Sequence, residues 1–311
     1  MVAARRKRQT TTPRSAASRR QPSRPTPGRR SSTALLIAAG VAVVGVVAFL
    51  ILRPLEGGAA PSAWARLNTA DVHALAFAPD DPGRLYFGHH NGLLESRDGG
   101  RTWQPASLSG ADAMNVRAAG EGRIQIAGHE VYLESTDGGA SWQPVPNDLP
   151  GLDLHAFALD PADADHAWTF AVGFGLFETH DAGRHWALLQ SGNWGYLASY
   201  RAGDQTALVA VGPEGLVRSV DDGATWQPLA YPGAPLAGGL AAADDGSALY
   251  AATSAGLKRS TDQGQTWQST GFDGVALALA VAPGDPTTVV VVDDATRFYR
   301  SADGGASWPL P

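Results

Sequence analysis

The sequence predicts an all-β fold, a six-bladed β-propeller preceded by one N-terminal transmembrane helix. Three observations support this prediction. A polar octet that ends in tryptophan occurs six times at a spacing of about 40 residues, short alternating strands fill the intervals between its copies, and a long uncharged apolar run stands near the N-terminus. Internal repeats of this length are typical of propellers and solenoids.

The octet has the pattern Ser/Thr-x-Asp-x-Gly-x-x-Trp. Its copies are SRDGGRTW from Ser96, STDGGASW from Ser135, THDAGRHW from Thr179, SVDDGATW from Ser219, STDQGQTW from Ser260 and SADGGASW from Ser301. Successive octet tryptophans lie 39, 44, 40, 41 and 41 residues apart, and Trp64 lies 39 residues before the first of them. Seven tryptophans in phase therefore enclose six repeats.

Each repeat contains four short strand signals. In the first repeat these are HALAF, LYFGH and LLES, followed after the octet by WQPAS. Turns rich in Gly, Pro and Asp recur every 8–12 residues after residue 53 and no helical periodicity interrupts them, as an all-β chain requires. Four strands per period of about 40 residues make one propeller blade.

The octet itself is interpreted as structural. Its Asp accepts backbone N–H groups two residues on, its shared Gly permits a positive φ, its Ser or Thr adds a local bond, and its Trp packs between blades. A calcium site is the alternative, but it needs more oxygen ligands than one Asp per turn. The structural residues are Asp98, Trp103, Asp137, Trp142, Asp181, Trp186, Asp221, Trp226, Asp262, Trp267, Asp303 and Trp308.

Ring closure has two candidate strands, of which SAWARL near the start of the repeats is favoured. Only three residues follow Trp308, so the sixth blade lacks a fourth strand of its own. We expect SAWARL, which surrounds Trp64, to supply that strand, because pairing the two ends of the chain removes an open edge.

The N-terminal region differs in kind from the repeats. Ala34–Leu52 is a run of nineteen residues without a charge, which as a helix is long enough to cross a bilayer core. We expect a disordered basic cytoplasmic tail over 1–32, a signal-anchor transmembrane helix over 33–53, a linker over 54–62 and the propeller over 63–311. A cleaved signal peptide is the alternative. The chain has no cysteine, which excludes a lipoprotein anchor, disulfides and thiol chemistry.

Charge is divided unevenly along the chain. The first 53 residues contain 11 Lys/Arg and no Asp/Glu, which leaves 13 basic and 30 acidic residues for the rest. The basic tail suits the anionic lipids of the membrane surface, and the acidic propeller argues against nucleic acid as its partner. We therefore expect a single-pass protein of the cell membrane, with a cytoplasmic N-terminus and an extracytoplasmic propeller.

The octets resemble the Asp-box, or BNR, repeat over residues 63–311. The resemblance is strongest to bacterial membrane-anchored propellers labelled glycosyl hydrolases. Sialidases, xyloglucan-cleaving enzymes, sortilin-type receptors and photosystem II assembly factors share the repeat. It implies that each box lies between the third and fourth strands of a blade, opposite the usual binding face. The box-bearing end of the ring is called the bottom face below, and the other end the top face.

Five of the eight histidines fall on the top face of blades one to three. They are His73 and His155 at the starts of first strands, and His89, His90 and His129 in turns between second and third strands. His166, His180 and His185 fall at the bottom, His166 in a turn. Asp71 and Asp153 each precede a channel histidine by two residues, and Glu130 follows His129.

This grouping supports three interpretations. The five histidines have the chemistry to bind a divalent transition metal, although no cofactor follows with certainty from spacing alone. His73, His90, His129 and His155 also suit a ligand-binding surface. Histidines at strand starts and rims equally serve plain structural roles.

A second feature of the top face is aromatic. Trp194 and Tyr196 lie in the link SGNWGYLASY between blades three and four, and Phe174 lies in the neighbouring turn VGFG. They would suit an aromatic platform for a sugar or a peptide, but ordinary packing between blades is the favoured interpretation.

The enzyme interpretations are weaker. A sialidase needs an arginine triad and a Tyr–Glu nucleophile pair, and the sequence places neither. A general glycosidase needs two carboxylates; the candidates are Glu130, Asp71, Asp112 and Asp153, and the sequence does not choose among them. No GxSxG elbow is present.

We therefore predict a non-catalytic module that binds a protein or glycan ligand through its top face. The alternative is a glycosidase-like or metal-dependent hydrolase that uses the histidine and carboxylate residues of blades one to three.

Overall fold

The computed structural model describes residues 60–311. Six antiparallel sheets of four strands each make up this part of the chain, and residues 60–311 contain no helix. The predicted six-bladed propeller is confirmed. The tail expected over 1–32, the helix expected over 33–53 and the linker up to residue 59 lie outside the described residues. Across residues 60–311 no helix is both long enough and apolar enough to span a membrane.

Each blade runs from an inner strand beside the central channel to an outer strand at the rim. Blades one to three comprise β2 (Ala74–Ala78), β3 (Asp81–His89), β4 (Gly92–Ser96), β5 (Gln104–Ser109); β6 (Asn115–Ala118), β7 (Ile124–Gly128), β8 (Val131–Ser135), β9 (Gln143–Pro144); and β10 (Leu154–Asp160), β11 (Asp163–Ala171), β12 (Gly175–Thr179), β13 (Ala187–Gln190). Blades four to six comprise β14 (Gly195–Ala202), β15 (Gln205–Gly212), β16 (Gly215–Ser219), β17 (Gln227–Pro228); β18 (Leu236–Ala242), β19 (Leu249–Thr253), β20 (Gly256–Ser260), β21 (Gln268–Ser269); and β22 (Ala276–Ala282), β23 (Asp285–Asp293), β24 (Arg297–Ser301) with β1 (Ala65–Arg66).

The ring closes as the sequence predicts. Ala65 of β1 pairs with Phe298 of β24, so the first described strand is the outer strand of blade six. The N–H of Ser62 donates to the carbonyl of Trp308, at 2.9 Å, in the last box. The described chain therefore begins at the bottom face, and β1 runs from there towards the top.

The core consists of six apolar clusters, one at each boundary between neighbouring blades. Phe77 and Phe87 of blade one, for example, share a cluster with Phe298 of blade six. Trp168, which the sequence assigns to the core, is fully buried in β11. The inner strands of all six blades line a central channel.

All six boxes form the same hydrogen-bonded turn at the bottom face. In the first box the Ser96 hydroxyl donates to Oδ1 of Asp98 and accepts the N–H of Gly100. Oδ1 of Asp98 also accepts the N–H of Thr102, and Oδ2 accepts the Thr102 hydroxyl. Both carboxylate oxygens thus accept hydrogen bonds from within the turn.

This pattern corrects one detail of the sequence interpretation. The Asp carboxylate accepts the N–H group four residues on, not two, because the chain turns through two consecutive residues of positive φ before it approaches the carboxylate. In the first box these are Gly99 and Gly100, at φ of 77° and 99°. The residue just before each tryptophan completes the turn as a side-chain donor to the Asp; it is Thr102, Ser141, His185, Thr225, Thr266 or Ser307.

Candidate functional site

Seven side chains meet on the top face of blades one to three, and we call them the histidine rim. They are Asp71, His73, His90, Asp112, His129, Asp153 and His155. His73 directly precedes the inner strand β2 and His155 lies within the inner strand β10, so both border the channel mouth as predicted. His90 and His129 come from the turns after β3 and β7. The three aspartates lie in the links that lead into the inner strands of blades one, two and three.

Asp112 joins the two halves of the rim. Its Oδ1 lies 3.3 Å from Nε2 of His73, and its Oδ2 lies 2.6 Å from Nδ1 of His129. The Asp112 side chain is only 12% exposed, and its Oδ1 is buried without a hydrogen-bond partner of good geometry. One carboxylate therefore faces histidines from two different blades.

The half of the rim between blades two and three forms a compact triangle. Nε2 of His129 lies 3.1 Å from Nε2 of His155 and 3.3 Å from Oδ1 of Asp153. Nε2 of His155 lies 2.9 Å from the same Oδ1. The backbone supports this geometry, because His129 and Asp153 form an isolated β-bridge and Glu130 N–H donates to Leu152 O. Two imidazole nitrogens and one carboxylate oxygen thus converge at a single point.

The half that belongs to blade one is arranged differently. Asp71 accepts the backbone N–H of His90 at 2.8 Å through Oδ1, and its Oδ2 lies 3.0 Å from His90 Nδ1. His73 Nε2 lies 3.1 Å from His90 Nδ1 but 3.7 Å from Asp71. Burial raises the pKa of Asp71, but the backbone and ring hydrogen bonds of His90 outweigh it, so the net shift is downward. Burial also lowers the pKa of His73.

A depressed pKa does not suit Asp71 to the role of a glycosidase general acid, which needs a carboxyl group that holds its proton near neutral pH. The glycosidase alternative therefore gains no support from Asp71.

Two residues from the predicted cluster lie outside the rim. His89 is the last residue of β3 and His90 lies in the turn that follows, so the two side chains have different surroundings. The His89 ring stacks on Phe87 at 6.1 Å, and its Nδ1 accepts the N–H of Asn91. Glu130 occupies a left-handed position, at φ 56°, and its exposed side chain makes no ion pair within residues 60–311.

From the sequence, Asp112 is expected among the carboxylates of the top face but not beside the histidines. A signal for its position was present, because Asp71, Asp112 and Asp153 are each 41 residues apart. They occupy one phase of the repeat, two residues before His73, Met114 and His155 respectively. The same phase in three consecutive blades brings equivalent side chains side by side around the channel mouth.

The three top-face aromatics are not gathered into one platform. Trp194 is 7% exposed and packs against Trp226, with ring centroids 4.7 Å apart. Tyr196 is 38% exposed, at φ 47°, and lines the channel mouth together with one edge of Trp194. Phe174 is 46% exposed and lies over Gly151, away from the mouth. Trp194 therefore has the packing role that the sequence favoured, and Tyr196 is the aromatic that faces the channel.

The channel widens into an upper cavity of about 350 Å³ and a lower one of about 370 Å³. His73, His155 and Tyr196 line the upper cavity, and Arg117 lines both. Every inner strand has a position equivalent to that of Arg117. In blade two, Arg117 pairs with Gln125 of β7, and Gln125 pairs with Glu134, the residue just before the Ser of the box. The other five occupants are all alanine, namely Ala76, Ala158, Ala198, Ala241 and Ala280.

Arg117 is therefore a lone cation in a ring of methyl groups. Its guanidinium donates to its neighbour's carbonyl, Val116 O, at 2.8 Å, and within residues 60–311 no carboxylate lies in ion-pair reach. Burial alone lowers the pKa of Arg117 to about 10. The departure of this position from alanine in the aligned repeats is the sequence signal that it differs.

A separate histidine group lies at the bottom of blade three. His166 is buried within β11, not in a turn as predicted, because β11 begins at Asp163. Its two nitrogens lie 3.2 Å from Asp160 and 2.9 Å from Glu178, and its ring stacks on that of His180. These contacts account for both nitrogens of His166 as structural hydrogen bonds.

Comparisons with solved structures show the same architecture. The chain is similar to YCF48 bound to a D1 peptide, with 24% identity over 78% of this chain and 82% of that one and a TM-score of 0.51. It is similar to YCF48 from Cyanidioschyzon merolae, with 20% identity over 80% and 88% of the two chains and a TM-score of 0.50. A GH74 xyloglucanase from Xanthomonas campestris matches at 18% identity over 76% of this chain and 45% of its own, with a TM-score of 0.51.

At these identities the structural matches establish the fold alone. No curated protein matches the chain significantly. A family model does, and it covers residues 60–309, which is the whole propeller. The expected Asp-box relationship is thereby confirmed and narrowed: the chain belongs to the family of the photosynthesis system II assembly factor YCF48.

Proposed function

We propose that the propeller is a protein-binding module that receives a segment of a partner protein at the top end of its channel. The observation that carries this proposal is Arg117, the one charged side chain in a ring otherwise made of alanines. An enclosed guanidinium without a counter-ion costs free energy, which a carboxylate from a ligand would offset. We infer that the bound segment carries an acidic group.

The walls of the upper cavity suit a peptide. Tyr196 presents an aromatic ring with a hydroxyl, His73 and His155 present imidazoles, and the chain at Ala237–Gly239 presents backbone. The recess thus combines polar groups with apolar surface. A cavity of about 350 Å³ accommodates only a few residues, so the site suits a short segment or a chain end and not a folded domain.

The comparisons support a peptide over a glycan. A YCF48 is described as bound to a D1 peptide, and this chain belongs to the same family. We therefore propose a protein ligand and assembly role, with His73, His155 and Tyr196 as contact residues beside Arg117. The roles of His90, His129 and Phe174 in ligand binding stay predictions.

Site-specific photo-crosslinking tests the proposal. The full-length chain would be produced in its own host cells with p-benzoylphenylalanine at position 196. We expect a discrete protein adduct from this position, and its loss in the Arg117→Gln background with recovery in Arg117→Lys. Matched control positions are Leu188, 55% exposed on an outer strand, and His180, 68% exposed at the bottom.

Two results would overturn the proposal. One is the absence of any adduct at position 196 in cells that express the protein. The other is an equal adduct at all three positions, since that pattern indicates contact without a site. An adduct that persists unchanged in Arg117→Gln would reject the acidic segment.

We also propose that residues 33–53 anchor the chain in the cell membrane and hold the propeller outside the cytoplasm. The nineteen uncharged residues of Ala34–Leu52 and the basic residues before them support this. Carbonate extraction and protease accessibility in spheroplasts test it. A chain that partitions into the soluble fraction, or a propeller that external protease never reaches, would contradict it.

A further inference from the structure

We propose that His129, Asp153 and His155 bind one divalent transition-metal ion at the top of blades two and three. The inference does not depend on the partner-protein proposal, because that proposal rests on Arg117, the two share only His155, and the metal test involves no partner. It also narrows the five-histidine set that the sequence suggested to two histidines and one aspartate.

The distances within the trio suit a metal ion. The three ligand atoms form a triangle with edges of 3.1, 3.3 and 2.9 Å. Ligand atoms about 2.0–2.2 Å from a tetrahedral zinc ion lie roughly 3.4 Å apart. An ion would therefore sit on the order of 1 Å above the plane of this triangle with ordinary bond lengths, and the ligands need to move by only a few tenths of an ångström.

The lone pairs of the ligand atoms also favour a cation between them. His129 Nδ1 lies 2.6 Å from the Asp112 carboxylate, and a neutral imidazole that donates from Nδ1 carries a lone pair on Nε2. That lone pair faces His155 Nε2 and Asp153 Oδ1, and Oδ1 is itself buried without a hydrogen-bond partner. A proton on Nε2 of His155 forms a hydrogen bond to only one of the other two atoms, whereas a cation at the centre of the triangle is bound by all three.

A carboxylate behind the ligands supports the site. Histidines that bind metals commonly donate their second ring N–H to a carboxylate, which fixes the tautomer and the ring orientation. Asp112 has this relation to His129, and its side chain is mostly buried while those of His129, Asp153 and His155 are 47%, 47% and 40% exposed. The ligand face is thus open to solvent and leaves coordination positions free.

The ligand set indicates the class of ion. Two imidazole nitrogens with one carboxylate suit Zn²⁺ and the other divalent first-row transition metals, whereas Ca²⁺ and Mg²⁺ prefer all-oxygen sets. With three protein ligands, the remaining positions take water or a ligand group.

Neither of the other two histidine groups meets the same criteria. In blade one, Asp71 uses one oxygen for the His90 backbone and the other for the His90 ring, and it stays 3.7 Å from His73. At the bottom of blade three, His166 is already hydrogen-bonded through both nitrogens. The proposal is therefore limited to the trio of blades two and three.

The test measures metal content in the full-length chain, purified in detergent with an affinity tag that contains no histidine. The protein is equilibrated with Zn²⁺ or Co²⁺, freed of excess ion, and analysed by inductively coupled plasma mass spectrometry. The Co²⁺ form also gives a visible d–d spectrum that reports coordination number. The variants are His129→Ala, His155→Ala and Asp153→Asn, and the matched control is His180→Ala at the bottom face.

We expect one ion per chain in the wild type and in His180→Ala, a four- or five-coordinate Co²⁺ spectrum, and at least a tenfold loss of affinity in each of the three site variants. Circular dichroism distinguishes loss of the site from loss of the fold. Failure of the wild type to retain Zn²⁺ or Co²⁺ would overturn the proposal. So would affinity and spectrum that are unchanged in folded His129→Ala and His155→Ala.

Discussion

Oδ2 of Asp112, in the link that leads from blade one into blade two, lies 2.6 Å from Nδ1 of His129. If Asp112 orients His129 for a metal ion, removal of its charge should weaken binding without removal of a ligand. We expect Asp112→Asn to lower Co²⁺ affinity 10–100-fold, with the stoichiometry still at one ion per chain.

The control for this prediction is Asp71→Asn, which removes the same charge from the neighbouring half of the rim. We expect it to change Co²⁺ affinity less than threefold. Equal losses in both variants would show that the aspartates act only through the long-range field, and that Asp112 does not position His129.

The site was only partly predictable from the sequence, for a geometric reason. Repeat spacing brought His73 and His155 to the channel mouth, because each stands at the start of an inner strand. Repeat spacing did not show which of His89 and His90 faces the rim, because that depends on the residue at which β3 ends. The position of Asp112 between two histidines depends on the link between blades, whose path the repeat pattern does not specify.

The fold was predictable almost entirely, because the octet fixes both the blade period and one face of the ring. The closing strand at Ala65 followed from the missing fourth strand after Trp308. What escaped prediction was the hydrogen-bond pattern within the box. A positive φ at two successive positions redirects the chain, so the partner of Asp98 is Thr102, although a Ser, Thr or His before every box tryptophan was visible in the sequence.

Gly100 shows how closely the box of blade one packs on blade six. Its φ is 99°, and a Cβ there would overlap the ring of Phe298. We expect Gly100→Ala to lower the free energy of unfolding by about 2–4 kcal/mol, from backbone strain together with overpacking. Urea denaturation followed by tryptophan fluorescence measures it.

Gly110 separates the two contributions, because its φ is 74° but a Cβ there meets nothing within 4 Å. We expect Gly110→Ala to cost only about 1–2 kcal/mol from strain. A cost for Gly110→Ala as large as that for Gly100→Ala would mean that contact with Phe298 is unimportant.

The box aspartates should make the propeller sensitive to acid. Hydrogen bonds from the Thr266 hydroxyl and N–H and from Ser260 lower the pKa of Asp262 from 3.8 to about 2. A lowered folded-state pKa gives stability that is fully present above the unfolded value and is lost as the pH falls through the folded one. We therefore expect the urea midpoint to fall steeply between pH 4 and pH 2.

Asp262→Asn should flatten that fall, because the variant has one fewer carboxylate to protonate in its folded state. Asp204→Asn, in an exposed turn, is the matched control and should retain the wild-type slope. A midpoint in Asp262→Asn that depends on pH as steeply as in the wild type would reject the contribution of this box.

Trp64 holds the closing strand β1 against blade six, so its substitution tests how much this strand contributes to the stability of the ring. Its Nε1 donates to Pro309 O at 2.8 Å, and its ring packs edge-on against Phe298 and under Arg101. Trp64→Ala should lower the free energy of unfolding by about 2–3 kcal/mol, less than a fully buried aromatic because Trp64 is half-buried. Leu310→Ala, 66% exposed, should change it by less than about 0.5 kcal/mol.

Proteolysis provides a second measurement of closure. If β1 holds blade six, limited proteolysis of Trp64→Ala should release fragments cut near both termini before the middle blades are cleaved. Uniform cleavage throughout the propeller would instead indicate a global loss of stability without selective opening of the ring.

His166 should make the propeller less stable as the pH rises. Burial lowers its pKa, but hydrogen bonds to Glu178 and Asp160 outweigh this, so the net shift is upward. A raised folded-state pKa gives stability that is fully present below the unfolded value of about 6.5 and is lost as the pH rises through the folded value. The stability advantage of the wild type over His166→Gln should therefore shrink from pH 5 to pH 9.

His89→Gln is the control with the opposite pH dependence. Because burial lowers the pKa of His89, the stability advantage of the wild type over this variant should grow as the pH rises. Urea denaturation across this range, with NMR titration of the His166 ring, measures both; a His166 ring that titrates below 6.5 would contradict the charged contact with Asp160 and Glu178.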